Sequence, residues 1–488
     1  MQLVFIFPPN RSSAVQQIIC AESEFGGTAD YLRRIGVRRY SIKKNSMAEF
    51  QRPTNEQELT QHFEQIKPYM NPTMAYYESS RCLFCYDAPC VQACPTGIDI
   101  PLFIRQINTQ NIEGAASTIY SSNYFGNICG KVCPTEVLCE GACVYNHQNV
   151  KPIEIGRLQS FATSSVINSQ KQLLHPAPSN GKKVAVIGAG PSGIACACEL
   201  RAHGYEVAIF EAKDHPSGLA LYGCAPYKVT NQDVLDEVAW LQQQLGFQIH
   251  YNQAIQTPEQ WHKLESTYDA IFLGVGLGKT RALNIPGENL ENCIGATAFI
   301  EQVKLNPLKA KVGKKVVVIG GGNTAMDAAS ESARLGAEEV ILAYRRSKAG
   351  MGAYEFEYEL AKAVGVKGVF NALPVAILGN QRVEGIRLVK TQEEQGRDAV
   401  VPGSEFEIAC DVVILATGQS KMTELFSQIQ GLHVDGQGRI VVNPATRQTA
   451  HPKYFAGGDA VNGGAEVVNA AAEGKAAAKG IHEFLQFN

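Results

Sequence analysis

Net charge is nearly absent from this chain, where 44 Lys and Arg stand against 47 Asp and Glu for a formal balance of −3. Such a surface gives no general electrostatic reason to bind nucleic acid or an anionic membrane. Long apolar runs are missing as well, and no stretch reaches the roughly 18 consecutive apolar residues of a membrane-spanning helix. The short run Leu3-Val4-Phe5-Ile6-Phe7 has no basic leader and is too short for a secretory segment, so a cytoplasmic location is expected. Charged residues are sparse at 19%, yet apolar residues reach 45%, which excludes a disordered chain and points to globular domains. At 488 residues the chain is too long for one ordinary core, and about three domains are expected.

What stands out instead is cysteine. Of 14 cysteines, eight lie between Cys82 and Cys143. A reducing compartment disfavours disulfides, so a local group of thiols reads as metal binding. The others (Cys20, Cys196, Cys198, Cys224, Cys293, Cys410) are scattered, as expected of small buried hydrophobes. The clustered ones run Cys82-x2-Cys85-x4-Cys90-x3-Cys94-Pro95, then Cys129-x3-Cys133-Pro134-x4-Cys139-x3-Cys143. Short gaps let several thiolates converge, and Cys-Pro at the end of a run is common in ferredoxin-type patterns. Paired cysteines also suit tetrahedral zinc. Zinc, however, has no redox role beside the nucleotide sites found further along, and iron–sulfur is the reading adopted.

Residues 1–46 carry no motif and are taken as an extension with little or no fold of its own; Met47 could itself be a start site. Residues 47–175 have the pattern of helix and loop around the cysteines. His175-Pro-Ala-Pro-Ser-Asn-Gly181 is a linker. Beyond it, strands and helices alternate. Lys183-Val-Ala-Val-Ile187 leads into Gly188-Ala-Gly190-Pro-Ser-Gly193, a helical stretch and the strand Val207-Ala-Ile-Phe210, with Glu211 just after it. The glycines allow a tight turn and close approach of a pyrophosphate to backbone amides at a helix N-terminus, while the acid can accept a ribose diol. The grammar returns at Lys315-Val-Val-Val-Ile319, Gly320-Gly-Gly322-Asn323-Thr-Ala325 and Val340-Ile-Leu-Ala-Tyr344. There the next strand ends in Arg345-Arg346, with Lys348 close by. Guanidinium groups form charge-assisted forks with a ribose 2′-phosphate that a carboxylate would repel, so NADPH is favoured and NADH is the alternative.

Tyr454-Phe-Ala-Gly-Gly458-Asp459, followed by an Ala-rich helix from about Glu466, resembles the second FAD fingerprint of flavoproteins with two dinucleotide domains. That resemblance implies Asp459 as the ligand of the ribityl chain. The expected fold is therefore an all-helical two-cluster iron–sulfur domain (47–175) followed by two α/β, Rossmann-like domains. An FAD domain (176–296 and 409–488) is split by an inserted NADPH domain (297–408).

The stretch from Glu78 to Phe161, joined to such a flavoprotein module, resembles the electron-input half of dihydropyrimidine dehydrogenase, and the small subunit of glutamate synthase shares the architecture. The resemblance implies two 4Fe-4S clusters. One would be held by Cys82, Cys85, Cys90 and Cys143, the other by Cys94, Cys133, Cys139 and Gln159. Gln159 lies in Ile155-Gly-Arg-Leu-Gln159, where the glutamate synthase subunit tends to carry glutamate. Cys129 has no role in this scheme. The loop from Gly218 to Lys228 resembles the family's flavin-side loop, with departures at Ser217 and Ala220. The FMN-containing barrel where such enzymes reduce pyrimidine takes about 250 residues. It has no room here, which implies a partner subunit that carries it. A glutamate synthase small subunit, or an input module for another acceptor, is the alternative; a scaffold with vestigial nucleotide sites is disfavoured by the intact glycine turns, Glu211 and Asp459.

Overall fold

A computed structural model of the protein describes residues 50–394 and 397–487. The extension expected over 1–46, with Met47 and Cys20, lies outside the described residues.

From residue 50 to the linker the described chain forms helices and no strand. Short helices start where the sequence supplies caps. Asn55, Asn71, Asp99 and Asn111 each accept the backbone N–H three residues on, from Glu58, Met74, Leu102 and Gly114. Their apolar faces close a small core of Ile100, Phe103, Ile104, Ile107, Ile119, Leu158 and Ala162. Cys82, Cys90, Cys94, Cys139 and Cys143 pack at its edge.

The rest is built on two parallel sheets. In the first, β1 (Lys183–Ile187), β2 (Glu206–Phe210), β3 (Gln248–His250), β4 (Ala270–Leu273) and β13 (Tyr454–Ala456) take the order β13-β4-β1-β2-β3. In the second, β5 (Cys293–Gly295), β6 (Lys315–Ile319), β7 (Glu339–Tyr344), β8 (Lys367–Phe370) and β12 (Val412–Leu415) take the order β5-β12-β6-β7-β8. Lys183 and Lys315 are exposed and the next four residues of each strand buried, the continuous apolar run of a strand covered on both faces. An antiparallel sheet of β9 (Ala372–Leu378), β10 (Gly385–Glu394) and β11 (Arg397–Ala409) follows β8.

The split architecture is as expected, but two strands fall differently. Val412–Leu415, placed by sequence in the segment returning to the first domain, pairs in the second sheet with β6 on one side and β5 on the other, and β5 itself falls within the 176–296 segment expected in the first domain. The return crossing therefore lies after β12. The closing helix, Val467–Phe487, packs on the helix Pro191–Ala202 so closely that a Cβ at Gly474 would stand 2.0 Å from the Ser192 carbonyl.

Two buried polar joints connect these parts. Glu237, on the helix Asn231–Leu245 of the first nucleotide unit, is 0% exposed. Its carboxylate accepts the Asn127 and Ile128 N–H groups at 2.6 and 2.9 Å and the Tyr120 hydroxyl at 2.9 Å. It thereby closes the N-terminus of the helix Gly126–Val132, which leads into Cys133. Burial still pushes its pKa up to about 7. Across the molecule, Lys228 donates to Asp327 at 2.8 Å and Glu357 at 2.7 Å, tying the Gly218–Lys228 loop to two helices of the second unit. Truncating Glu237 to Ala strands three buried donors, and a loss of about 3–5 kcal/mol is expected. Urea denaturation should show it, together with faster proteolysis of the helical domain; a wild-type midpoint would mean the joint is immaterial.

Candidate functional site

The turn after β1 is shaped as its glycines require. A Cβ at Gly188 would meet the Gly274 carbonyl at 2.6 Å and one at Gly193 the Gly188 carbonyl at 2.0 Å, so both belong to close packing of turn, strand and helix. At Gly190 the nearest atom would be 3.8 Å away. That opening lets a pyrophosphate lie against the backbone at the start of the helix Pro191–Ala202. Glu211 reaches back across the turn. Its oxygens accept the Ala189 N–H at 2.7 Å and the Lys213 N–H at 2.8 Å, which fixes the carboxylate and leaves lone pairs for ribose hydroxyls.

The second fingerprint arrives at the same place. The Ser192 hydroxyl donates to the Gly457 carbonyl at 3.4 Å, and a Cβ at Gly458 would meet Ser192 Oγ at 2.8 Å. The Gly458 N–H is held by Glu473 at 2.7 Å. Asp459 opens the next short helix; one oxygen accepts the Ala465 N–H at 3.2 Å, and burial raises its pKa. Gly218 lies against Gly190, a Cβ there meeting the Gly190 Cα at 3.2 Å. Before it, Ser217 is fully buried at a φ of 80°, a conformation glycine adopts more easily, and its hydroxyl is unpartnered. The structural cost of the Ser217 departure is thus local strain beside the flavin-side turn.

In the second unit a Cβ at Gly320 would meet the Ala416 carbonyl at 2.4 Å, whereas one at Gly322 would meet nothing within 4 Å. The opening again faces a helix N-terminus, here Asn323–Arg334. The side-chain oxygen of Asn323 accepts the Tyr354 N–H at 3.0 Å, so this residue also anchors the segment leading into Glu355–Ala363. Arg345 and Arg346 follow β7, about half exposed.

The cysteines fall into two neighbourhoods. Cys82 is close enough to Cys85 and Cys143 to be shifted by them, and Cys90 to Cys82 and Cys143, although burial is the larger reason that both thiols are raised. Cys94, Cys133, Cys139 and Gln159 line one pocket enclosing about 360 Å³, part of it open to solvent. Among the described residues no three His, Cys, Asp or Glu side chains are gathered around a single metal ion.

Gln159, expected on general grounds to face solvent, is 7% exposed, and its amide nitrogen donates to the Gly126 carbonyl at 2.6 Å. That bond occupies the amide nitrogen and leaves the amide oxygen to face the pocket lining. Asn123 also lines the pocket at 1% exposure. Its oxygen accepts the Phe125 N–H, while its amide nitrogen has no partner. A cluster sulfur would satisfy this orphaned donor, so the lining fits the group.

Three contributors escaped the sequence reading. Asn123 has no motif to mark it. Cys129, left without a role, lines the same pocket beside Cys133. Lys67, far outside the cysteine runs, donates to the Cys133 carbonyl at 3.0 Å and Thr135 Oγ1 at 2.7 Å. Burial opposes its charge, but Glu136 and Glu140 more than reverse that, and the ammonium is retained. Of the scattered cysteines, Cys196, Cys198 and Cys410 are buried, and Cys224 and Cys293 partly so.

Residues 182–474 match the pyridine nucleotide-disulphide oxidoreductase family, and residues 59–171 match dihydropyrimidine dehydrogenase domain II, 4Fe-4S cluster. The chain belongs to the pyridine nucleotide-disulphide oxidoreductases. Within them it is similar to the NAD-dependent dihydropyrimidine dehydrogenase subunit PreT of Salmonella typhimurium strain LT2, at 33% identity over 87% of this chain and 98% of that one. It is equally similar to the glutamate synthase (NADPH) small chain of Escherichia coli strain K12, at 32% identity over 87% and 94%. FprA of Mycobacterium tuberculosis in complex with NADPH shares the fold, with a TM-score of 0.53 at 22% identity over 64% of this chain and 85% of that one. This oxidoreductase is thus an NAD(P)H-dependent FAD and iron–sulfur electron-transfer subunit of the PreT and glutamate synthase small-chain type. Among the described residues no helix is long and apolar enough to cross a membrane.

The open space at Gly190 separates binding from folding. A Gly190→Val variant should melt near the wild-type apoprotein yet retain much less flavin, measured by absorbance per chain; full flavin content would dismiss the pyrophosphate contact.

Proposed function

We propose that this chain takes hydride from NADPH and delivers electrons one at a time to a separate subunit that reduces uracil or thymine, as the input half of a dihydropyrimidine dehydrogenase. When bound, FAD supplies the change from two-electron to one-electron chemistry, and the clusters supply the path out. The protein's part is placement. Gly188, Gly190, Gly193, Glu211, Gly218, Gly458 and Asp459 would hold FAD; Gly320, Gly322, Asn323, Arg345 and Arg346 would hold the nicotinamide dinucleotide.

The observation that carries the reading is the pocket shared by Cys94, Cys133, Cys139 and Gln159, whose wall includes Val468 from the closing helix of the flavin unit. It supports one cluster next to the flavin unit. The second, on Cys82, Cys85, Cys90 and Cys143, would lie beside exposed Leu83 and Tyr86, at 56% and 100%. Electrons would then leave by that loop for an FMN-containing barrel on the partner. Glutamine at position 159 favours the pyrimidine reading, since that resemblance carries glutamine there.

A second reading, a glutamate synthase small subunit, draws on Arg345 and Arg346. The glutamate synthase relative is named for NADPH, whereas the PreT relatives are named NAD-dependent. Pull-down of the partner separates the two, an FMN protein supporting the first and a large amidotransferase chain the second.

Anaerobic purification should yield about eight iron atoms per FAD, the content of two four-iron clusters; zinc without inorganic sulfide would end the proposal. Gln159→Leu should alter the EPR signal of one cluster only, and an unchanged spectrum with unchanged iron would remove that ligand. Arg346→Ala should cost about 1.5–3 kcal/mol of NADPH binding, roughly 10- to 150-fold in affinity, with NADH unaffected. Equal use of both nucleotides by the wild type would overturn the NADPH assignment.

A further inference from the structure

The two guanidinium groups assigned to the 2′-phosphate already have an anion between them. Asp398 Oδ2, on β11, stands 3.4 Å from Arg345 Nε and 3.2 Å from Arg346 Nε. The carboxylate is reached from a distance of 52 residues along the chain, because the β10–β11 hairpin folds back over the end of β7. The hairpin does not need this contact to keep its place. Thr391 Oγ1 on β10 donates to the Arg345 carbonyl at 2.5 Å, the Asn371 N–H to the Arg346 carbonyl at 2.9 Å, and the Thr391 N–H to the Asn371 carbonyl at 2.9 Å. Backbone bonds therefore register the hairpin against the Arg345-Arg346 segment, while the side chain of Asp398 adds charge at the one place where a nucleotide's phosphate would arrive.

Both arginines are about half exposed, at 53% and 49%, and Asp398 is 23% exposed. Ion pairs in such surroundings are weak and readily exchanged. A phosphate monoester brings close to two negative charges and three acceptor oxygens, against one charge on the carboxylate. It can displace Asp398, but the broken pairs are subtracted from its binding. NADH carries no 2′-phosphate and leaves the pairs intact.

We propose that Asp398 is a specificity-determining residue: an internal counter-ion that occupies the Arg345–Arg346 fork, must be displaced by NADP(H) but not by NAD(H), and so narrows the preference between them. This rests on the reading of the arginine pair given above, and the test separates the two. Dissociation constants for NADP+ and NAD+ are to be measured by calorimetry on the FAD-loaded wild type and on Asp398→Asn, Asp398→Glu and Arg346→Ala. Asp398→Asn should tighten NADP+ by about three- to tenfold, the scale of one or two exposed ion pairs, with NAD+ unchanged. The gain should shrink at high ionic strength, and Asp398→Glu should stay near wild type. If Arg346→Ala leaves NADP+ binding intact, the phosphate reading itself fails. If Arg346→Ala weakens NADP+ while Asp398→Asn leaves it unchanged, weakens it, or shifts both nucleotides alike, the role of Asp398 alone is overturned.

Discussion

The geometry of the molecule depends on one carboxylate without water. Glu237 belongs to the first nucleotide unit, yet its oxygens satisfy the N-terminal amides of the helix that carries Cys129 and leads into Cys133. A helix N-terminus in the interior must find acceptors, and a carboxylate there also answers the helix dipole. Because both ends of the contact are buried, neither can be replaced by solvent, so the cluster domain has one seat on the flavin unit. Tyr124 adds to it by donating to Glu199 at 2.8 Å, and Gln244 by accepting the Leu173 N–H at 2.7 Å. Electron transfer weakens steeply with distance. A rigid seat between flavin unit and thiols is therefore a functional requirement, met here by these hydrogen bonds together with an apolar core that Tyr120, Phe125 and Ile128 share with Val238, Trp240 and Leu241.

The second joint has a different character. Lys228 is buried between Asp327 and Glu357, and Tyr227 adds a hydroxyl on Asp327 at 2.5 Å. Breaking such a pair on one side costs far more than the pair contributes when intact. The contact therefore specifies alignment: it ties the loop beginning at Gly218, beside the first glycine turn, to the helix beginning at Asn323, beside the second. The loop beside the first glycine turn and the helix beside the second are held in register by charges that accept few other arrangements.

Features that the amino-acid order reveals are those whose physics is local. A run such as Lys183-Val-Ala-Val-Ile187 followed by a glycine turn and a helix marks a strand–turn–helix unit, and both such units are legible in the sequence. The thiol spacing alone groups Cys94 with Cys82, Cys85 and Cys90; it is the family resemblance that sets Cys94 with Cys133 and Cys139. What the order could not reveal are contacts made across the fold. Val412–Leu415 reads as a buried strand in either sheet, and its place beside β6 is decided by the crossing connection. Lys67 and Asn123 have neighbours in the pocket that no spacing rule anticipates, and Gln159 is hidden only because the helix Ile155–Asn168 packs on Gly126–Val132.

These contacts explain the chemistry of the pocket better than its ligands do. On the proposed set of Cys94, Cys133, Cys139 and Gln159, a neutral carboxamide replaces a fourth thiolate and removes one negative charge. The Lys67 ammonium lies close by, and the unpartnered Asn123 amide supplies a further donor. Each change favours the more negative, reduced state of whatever the thiols hold. Burial acts the other way, since taking charge out of water penalises reduction. A site adjoining the flavin unit has to accept an electron without being soaked in solvent. Fewer anionic ligands and a buried cation are the means available to a closed pocket.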